Sequence, residues 1–150
     1  MRSIRLAAIR RGIVATGLAL TGATSVTLGQ TYSCMAAQDS QAVALKSYVV
    51  RLVTAPPTDT LLSNTRSRYN IPAGSASAVS IETGRKKCES AAKGYHQALH
   101  PGTPQVGRAV VVIKVGNSRY VVLDPSEPAG EFQVHVVLDN HWNLLAIFTG

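Results

Sequence analysis

Two cysteines, a run of three cations and a pair of histidines are the residues of this sequence whose types and spacing reach beyond packing. Cys34 and Cys88 are the only cysteines. In an oxidising compartment they most economically form one disulfide, and closing a loop of this length is worth about 4 kcal/mol in the chain-entropy model. The competing chemistry is nucleophilic. Cys88 follows Arg85-Lys86-Lys87 at the start of a helical pattern, where cations and the helix dipole lower a thiol's pKa toward the reactive thiolate. The same cations oppose the dipole of the helix they open. Beside free N–H groups they would suit a phosphate, a sulfate or an acidic partner, so Arg85, Lys86 and Lys87 are the candidate anion-binding residues. The plainer account is an exposed cluster screened by salt. His96 and His100 stand four apart, which puts both rings on one helix flank at the spacing of two metal ligands. The remaining candidates, His135, Asp139 and His141, belong to later strands and turns. The pair is therefore expected to be a polar helix face, and no metal or cofactor is expected. His135, on the polar side of a strand, and His141, in a turn, are expected at the surface.

The elements that must position these residues are read from periodicity. Met35 to Leu45 is Ala-rich without Gly or Pro and favours helix, whereas Tyr48 to Thr54 is β-branched and favours strand. The stripe Ala42, Leu45, Val49, Leu52 and Val53 fits a helix through both, so residues 46–54 stay open between the two. Ala55-Pro56-Pro57 ends that segment. Thr58 or Asp59 caps a short helix to Tyr69, closed by Asn70 to Gly74, and a short strand is expected over 76–82. Cys88, Ala91, Ala92, Tyr95 and Leu99 repeat at helical spacing and mark the clearest helix, stopped by Pro101-Gly102.

Four strands are expected to follow. Arg108 to Val115 and Arg119 to Asp124 pair as a hairpin across Gly116-Asn117-Ser118. Glu131 to Asp139 alternates, with Phe132, Val134, Val136 and Leu138 toward the core and Glu131, Gln133, His135 and Asp139 toward water. Trp142, Leu144, Ala146 and Phe148 would share a face of the last strand. The fold class expected is α+β, with helices packed on one face of a C-terminal four-stranded antiparallel meander. Its general shape resembles the cystatin-like and NTF2-like architectures, a likeness of fold that carries no function.

A second resemblance bears on Cys88. Arg108 to Val115, then Arg119-Tyr120-Val121-Val122-Leu123-Asp124-Pro125, looks like the strand pair of transglutaminase-like hydrolases. Those enzymes use a cysteine on a helix, a histidine opening the first strand and an aspartate near the end of the second. The resemblance implies a cysteine hydrolase or acyltransferase with Cys88 as nucleophile and Asp124 at the place of the family's aspartate. Arg108 stands where the family's histidine would, and a guanidinium stays protonated and cannot take a proton from a thiol.

Charge and length bound the rest. The chain has 150 residues and a formal net charge of +7, but Arg2, Arg5, Arg10 and Arg11 supply four of its 15 basic groups, and all 8 acidic groups lie from Asp39 onward. Those four arginines, the apolar run from Gly12 to about Leu20 and the small residues Ala23-Thr24-Ser25 form a secretory signal expected over residues 1–25, with cleavage as late as Gln30. The run is interrupted by Thr16, Gly17, Thr21 and Gly22, short of the ~18 to 20 apolar residues of a spanning helix. Its removal leaves 11 basic against 8 acidic groups, a net +3, in residues 26–150, read as one small domain. That balance, without a basic stripe interleaved with aromatics, gives no reason to expect a nucleic-acid partner. The reading is an exported protein, periplasmic or extracellular, that acts as a non-enzymatic binding or accessory module. The sequence leaves its partner open between an acidic or anionic ligand and another envelope protein. The alternatives are the Cys88 hydrolase and a structural envelope protein that pairs through an exposed strand edge.

Overall fold

The computed structural model describes residues 32–104, 107–126 and 133–149. The secretory signal and the Glu131-Phe132 start of the third expected C-terminal strand lie outside the described residues. Strand β1 (Ser33–Cys34) leads into helix α1 (Ser40–Thr54), helix α2 (Thr60–Arg68), strand β2 (Val79–Ile81) and helix α3 (Arg85–Leu99). Strands β3 (Ala109–Val115), β4 (Arg119–Leu123), β5 (Val134–Asp139) and β6 (Leu144–Thr149) follow.

The open question over residues 46–54 is answered as helix. Asp39 caps α1 by accepting from the Gln41 N–H, and Ala42, Leu45, Val49, Leu52 and Val53 form its buried stripe. The β-branched residues have strand propensity, but burial of a continuous helical stripe outweighs preferences of a few tenths of a kcal/mol per residue. Arg66 of α2 closes the far end: its Nη1 donates to the carbonyls of Leu52 at 3.0 Å and Ala55 at 2.8 Å. Those carbonyls belong to the last turn, where a cation also complements the dipole. Asn70 ends α2 at φ 58°, a left-handed conformation that asparagine adopts more readily than most residues.

The protein is α+β, with a mixed sheet. Strands β3, β4, β5 and β6 are sequential antiparallel neighbours, while β1 pairs parallel and β2 antiparallel with β3. β1 meets Ala109 and Val110, and β2 meets Ile113 to Val115, so they share the length of β3 between them.

The expectation of helices on one face is corrected. Val111, Ile113, Val115, Val121, Leu123 and Val137 pack with the α1 stripe, whereas Val110, Val112, Tyr120, Val122, Val136 and Leu138 pack with Ala91, Ala92 and Tyr95 of α3. Alternate residues of the same strands therefore enter two cores, and the sheet is the middle layer of three. The contiguous runs Val110-Val111-Val112-Ile113 and Val136-Val137-Leu138 are what strands covered on both faces require. The alternation read into β5 had assigned one of those faces to water.

The expected face of the last strand is corrected too. Trp142 precedes β6, in the turn, at φ 67°, which is unfavourable for a bulky side chain. Its ring stacks on Tyr120 at 4.5 Å, and Asp139 fixes the turn by accepting from the N–H groups of His141 and Asn143. An irregularity beside Leu145 then shifts the β5–β6 register, pairing Leu138 with Leu144 but Val137 with Ala146. Side chains beyond a bulge change sides, so Phe148 joins the α1 core while Leu144 is exposed.

Helix α3 lies so close to β5 that a Cβ on Gly94 would stand 2.7 Å from Leu138 Cδ1. Leu138 is fully buried and cannot swing away. Gly94→Val should lower stability by about 1–3 kcal/mol through overpacking, read as a lower urea midpoint with the far-UV circular dichroism preserved.

Candidate functional site

Cys34 and Cys88 are joined as a disulfide, with their Cα atoms 5.4 Å apart. The backbone places them. The N–H groups of Ser33 and Met35 donate to the carbonyls of Arg108 and Val110, which lays β1 along β3. Cys88, wholly buried in the first turn of α3, faces it from the helix layer. The bond thus ties the N-terminal strand to α3.

The cation run at the head of α3 is partly answered from within the chain. Arg85 Nε donates to Glu89 at 3.1 Å, and Lys87 Nζ lies 3.4 Å from Glu82 Oε1. The other Glu82 oxygen accepts from the N–H groups of Thr83 and Gly84. Burial raises the Glu82 pKa, but the Gly84 N–H, Lys87 and the Thr83 N–H outweigh it and hold the carboxyl below its ordinary value. Glu82 thus supplies the anion that an N-terminus favours, and helps offset the dipole conflict read from Arg85, Lys86 and Lys87. Lys86 makes no ion pair with a described residue.

Arg108 and Asp124, which stand where the strand-pair resemblance has a histidine and an aspartate, form an ion pair. Arg108 Nη1 donates to Asp124 Oδ2 at 3.0 Å, while Asp124 Oδ1 accepts from the Ser126 N–H at 2.9 Å and the Ser126 hydroxyl at 2.6 Å. Asp124 is 3% exposed, and a carboxylate that deeply buried needs such partners. The pair shares a cavity of only about 10 Å³ with Tyr32, Tyr95, His96 and His100, residues of which Cys88 is not one. His96 Nε2 is engaged by the Thr103 hydroxyl at 3.0 Å. Among the described residues no group of three or more His, Cys, Asp or Glu converges on a metal position.

Another cavity lies elsewhere, between α1 and β5. It is half-open to solvent, holds about 210 Å³ and is lined by Gln41, Ala44, Leu45, Tyr48, Gln133 and His135. His135, expected at the surface, is instead 5% exposed. Its ring lies 6.1 Å from that of Tyr48 and 4.7 Å from that of Phe148. His135 Nδ1 and Gln41 Oε1 are buried with no hydrogen-bond partner, an omission that costs about 1–3 kcal/mol for each such group. Burial pushes the His135 pKa down to about 4, so the imidazole is neutral at neutral pH. Burial, followed by the charge of Tyr69, raises the Tyr48 pKa against the pull of Arg51.

The sequence hides this cavity because a period of two equally suits a strand with one wet face. The contiguous Val136-Val137-Leu138 next to His135 carried the signal that both faces are covered.

Comparison with protein-family models, with curated proteins and with solved structures returned no match.

Burial of His135 makes stability depend on acid. Because its folded pKa of about 4 lies below the ordinary 6.5, the unfolded chain binds more protons between those values. Stability therefore falls as pH drops through that window, by up to about 3 kcal/mol in total. His135→Phe should flatten the dependence of the urea midpoint between pH 6.5 and about 4.5, and an unchanged slope would mean that the imidazole is not buried as described.

Proposed function

We propose that this chain is an exported, disulfide-stapled α+β domain that acts as a non-enzymatic binding or accessory module of the cell envelope or secretome. The observation that carries the reading is the Cys34–Cys88 bond. It engages the one cysteine of α3, and a cysteine in a disulfide has no thiolate with which to attack. Arg108, held by Asp124, is a permanent cation where a hydrolase of the transglutaminase-like kind would need a base. Export is supported by the basic and apolar leader over residues 1–25 and by the disulfide itself, a bond of oxidising compartments. Among the described residues no helix is long and apolar enough to cross a membrane. Arg85, Lys86 and Lys87 stay on this reading as the place for an anionic ligand, with Lys86 the cation least engaged by the chain's own carboxylates.

The test is a thiol count by mass spectrometry after alkylation, with and without reduction. Both cysteines should alkylate only after reduction. Rapid alkylation of Cys88 in the unreduced protein would return the cysteine hydrolase or acyltransferase reading, and substrate profiling would follow.

A second reading, a structural protein that pairs through a strand edge, has one observation in its favour. β6 ends the sheet with a neighbour on one side only among the described residues, and Leu144 and Ile147 on it are 48% and 45% exposed. An apolar edge strand is a template for pairing. Here Ile147→Lys should abolish a concentration-dependent association in sedimentation velocity while leaving Tm unchanged. A chain monomeric at every concentration would remove self-pairing.

A further inference from the structure

The cavity between α1 and β5 combines three features that together define a ligand. First, its size of about 210 Å³ falls below that of pockets for drug-sized molecules and somewhat above the ~150 Å³ that holds a benzene ring. One ring with a short substituent fills it. Second, none of the described residues that line it is charged: they are Gln41, Ala44, Leu45, Tyr48, Gln133 and His135. An ion brought into such a place would give up hydration without gaining a counter-charge from the lining itself; Arg51, whose guanidinium lies 5.6 Å from the centroid of the Tyr48 ring, is a neighbour and not a lining residue. Third, two of its lining residues carry unmatched polar atoms, each covered by neighbouring atoms in the free protein. Gln41 Oε1 lacks a donor, and His135 Nδ1 lacks a partner of either kind, though both are shut away from solvent. Buried polar atoms in folded proteins are nearly always paired, so each exception asks for a reason.

We propose that this cavity binds a small, neutral, planar molecule of single-ring size that carries a hydrogen-bond donor and acceptor side by side, a primary aromatic carboxamide being the simplest example. The ring would lie against Leu45 and the two aromatic faces of Tyr48 and His135, which are 24° from parallel. Both atoms are covered in the free protein, so the two side chains would turn on binding for the amide N–H to meet Gln41 Oε1 and its carbonyl to meet the N–H of a neutral imidazole. Burial keeps that imidazole neutral at physiological pH. The proposal rests on the reading of the chain as a binding module and names the ligand class of that module.

Three near-isosteric probes separate size from charge: benzamide, benzoate and benzamidinium, each titrated into the intact disulfide-bonded protein at pH 7 and followed by amide chemical shifts. Benzamide should perturb the amides of Gln41, Ala44, Tyr48 and His135 saturably, with a Kd on the order of a millimolar for so few atoms. The two ions should bind at least about tenfold more weakly. Ala44 is exposed at the mouth of the cavity, so Ala44→Trp should block it without disturbing the core. His135→Phe, which keeps a ring and removes its nitrogens, should weaken benzamide about tenfold. No saturable change at these residues up to about 20 mM, equal binding of the ions, or binding unaffected by Ala44→Trp would each overturn the proposal. The thiol count is independent: benzamide can fail while both cysteines stay locked, and Cys88 can prove free while benzamide binds.

Discussion

Burial of β3, β4 and β5 on both faces is the constraint on which the structure depends. Each strand supplies alternate residues to two cores, one beneath α1 and one beneath α3. A strand so placed has no side on which a polar side chain costs nothing. That is why Asp124, at the end of the second of these strands, must be matched by Arg108 and Ser126. It is also why His135 loses the proton that an exposed histidine would carry near pH 6.

Covering both faces requires the two helices to be held in different ways. α1 is held by its own apolar stripe and by Arg66, whose guanidinium takes up the carbonyls that its last turn leaves open. α3 is more polar, and it is fixed at its head by the disulfide and by Glu82, and at its middle by the close approach of Gly94 to Leu138. Covalent attachment suits the layer with the smaller apolar stripe, because closing a long loop removes freedom from the unfolded chain whatever the packing contributes.

These structural demands account for the residues that first suggested chemistry. Cys88 serves the staple, Asp124 answers Arg108, and His96 binds the turn that follows α3. The unmatched polar atoms lie on the opposite face of the sheet, at Gln41 and His135, where no structural demand explains them.

The α+β class, the hairpin across Gly116, the limits of α3 and the pairing of Cys34 with Cys88 were all legible in the sequence. Each follows from local periodicity, from turn residues or from cysteine arithmetic, which need no knowledge of distant contacts. The state of residues 46–54, the two-sided sheet, the left-handed Trp142 and the burial of His135 were decided only in three dimensions. The reason is common to them. The run Tyr48 to Thr54 suits a strand by its β-branched residues and a helix by the stripe Val49, Leu52 and Val53 until a surface exists to receive it, and a period of two does not say whether the second face meets water or another helix. Only the arrival of α1 and α3 on opposite sides of the sheet settles which polar residues are enclosed.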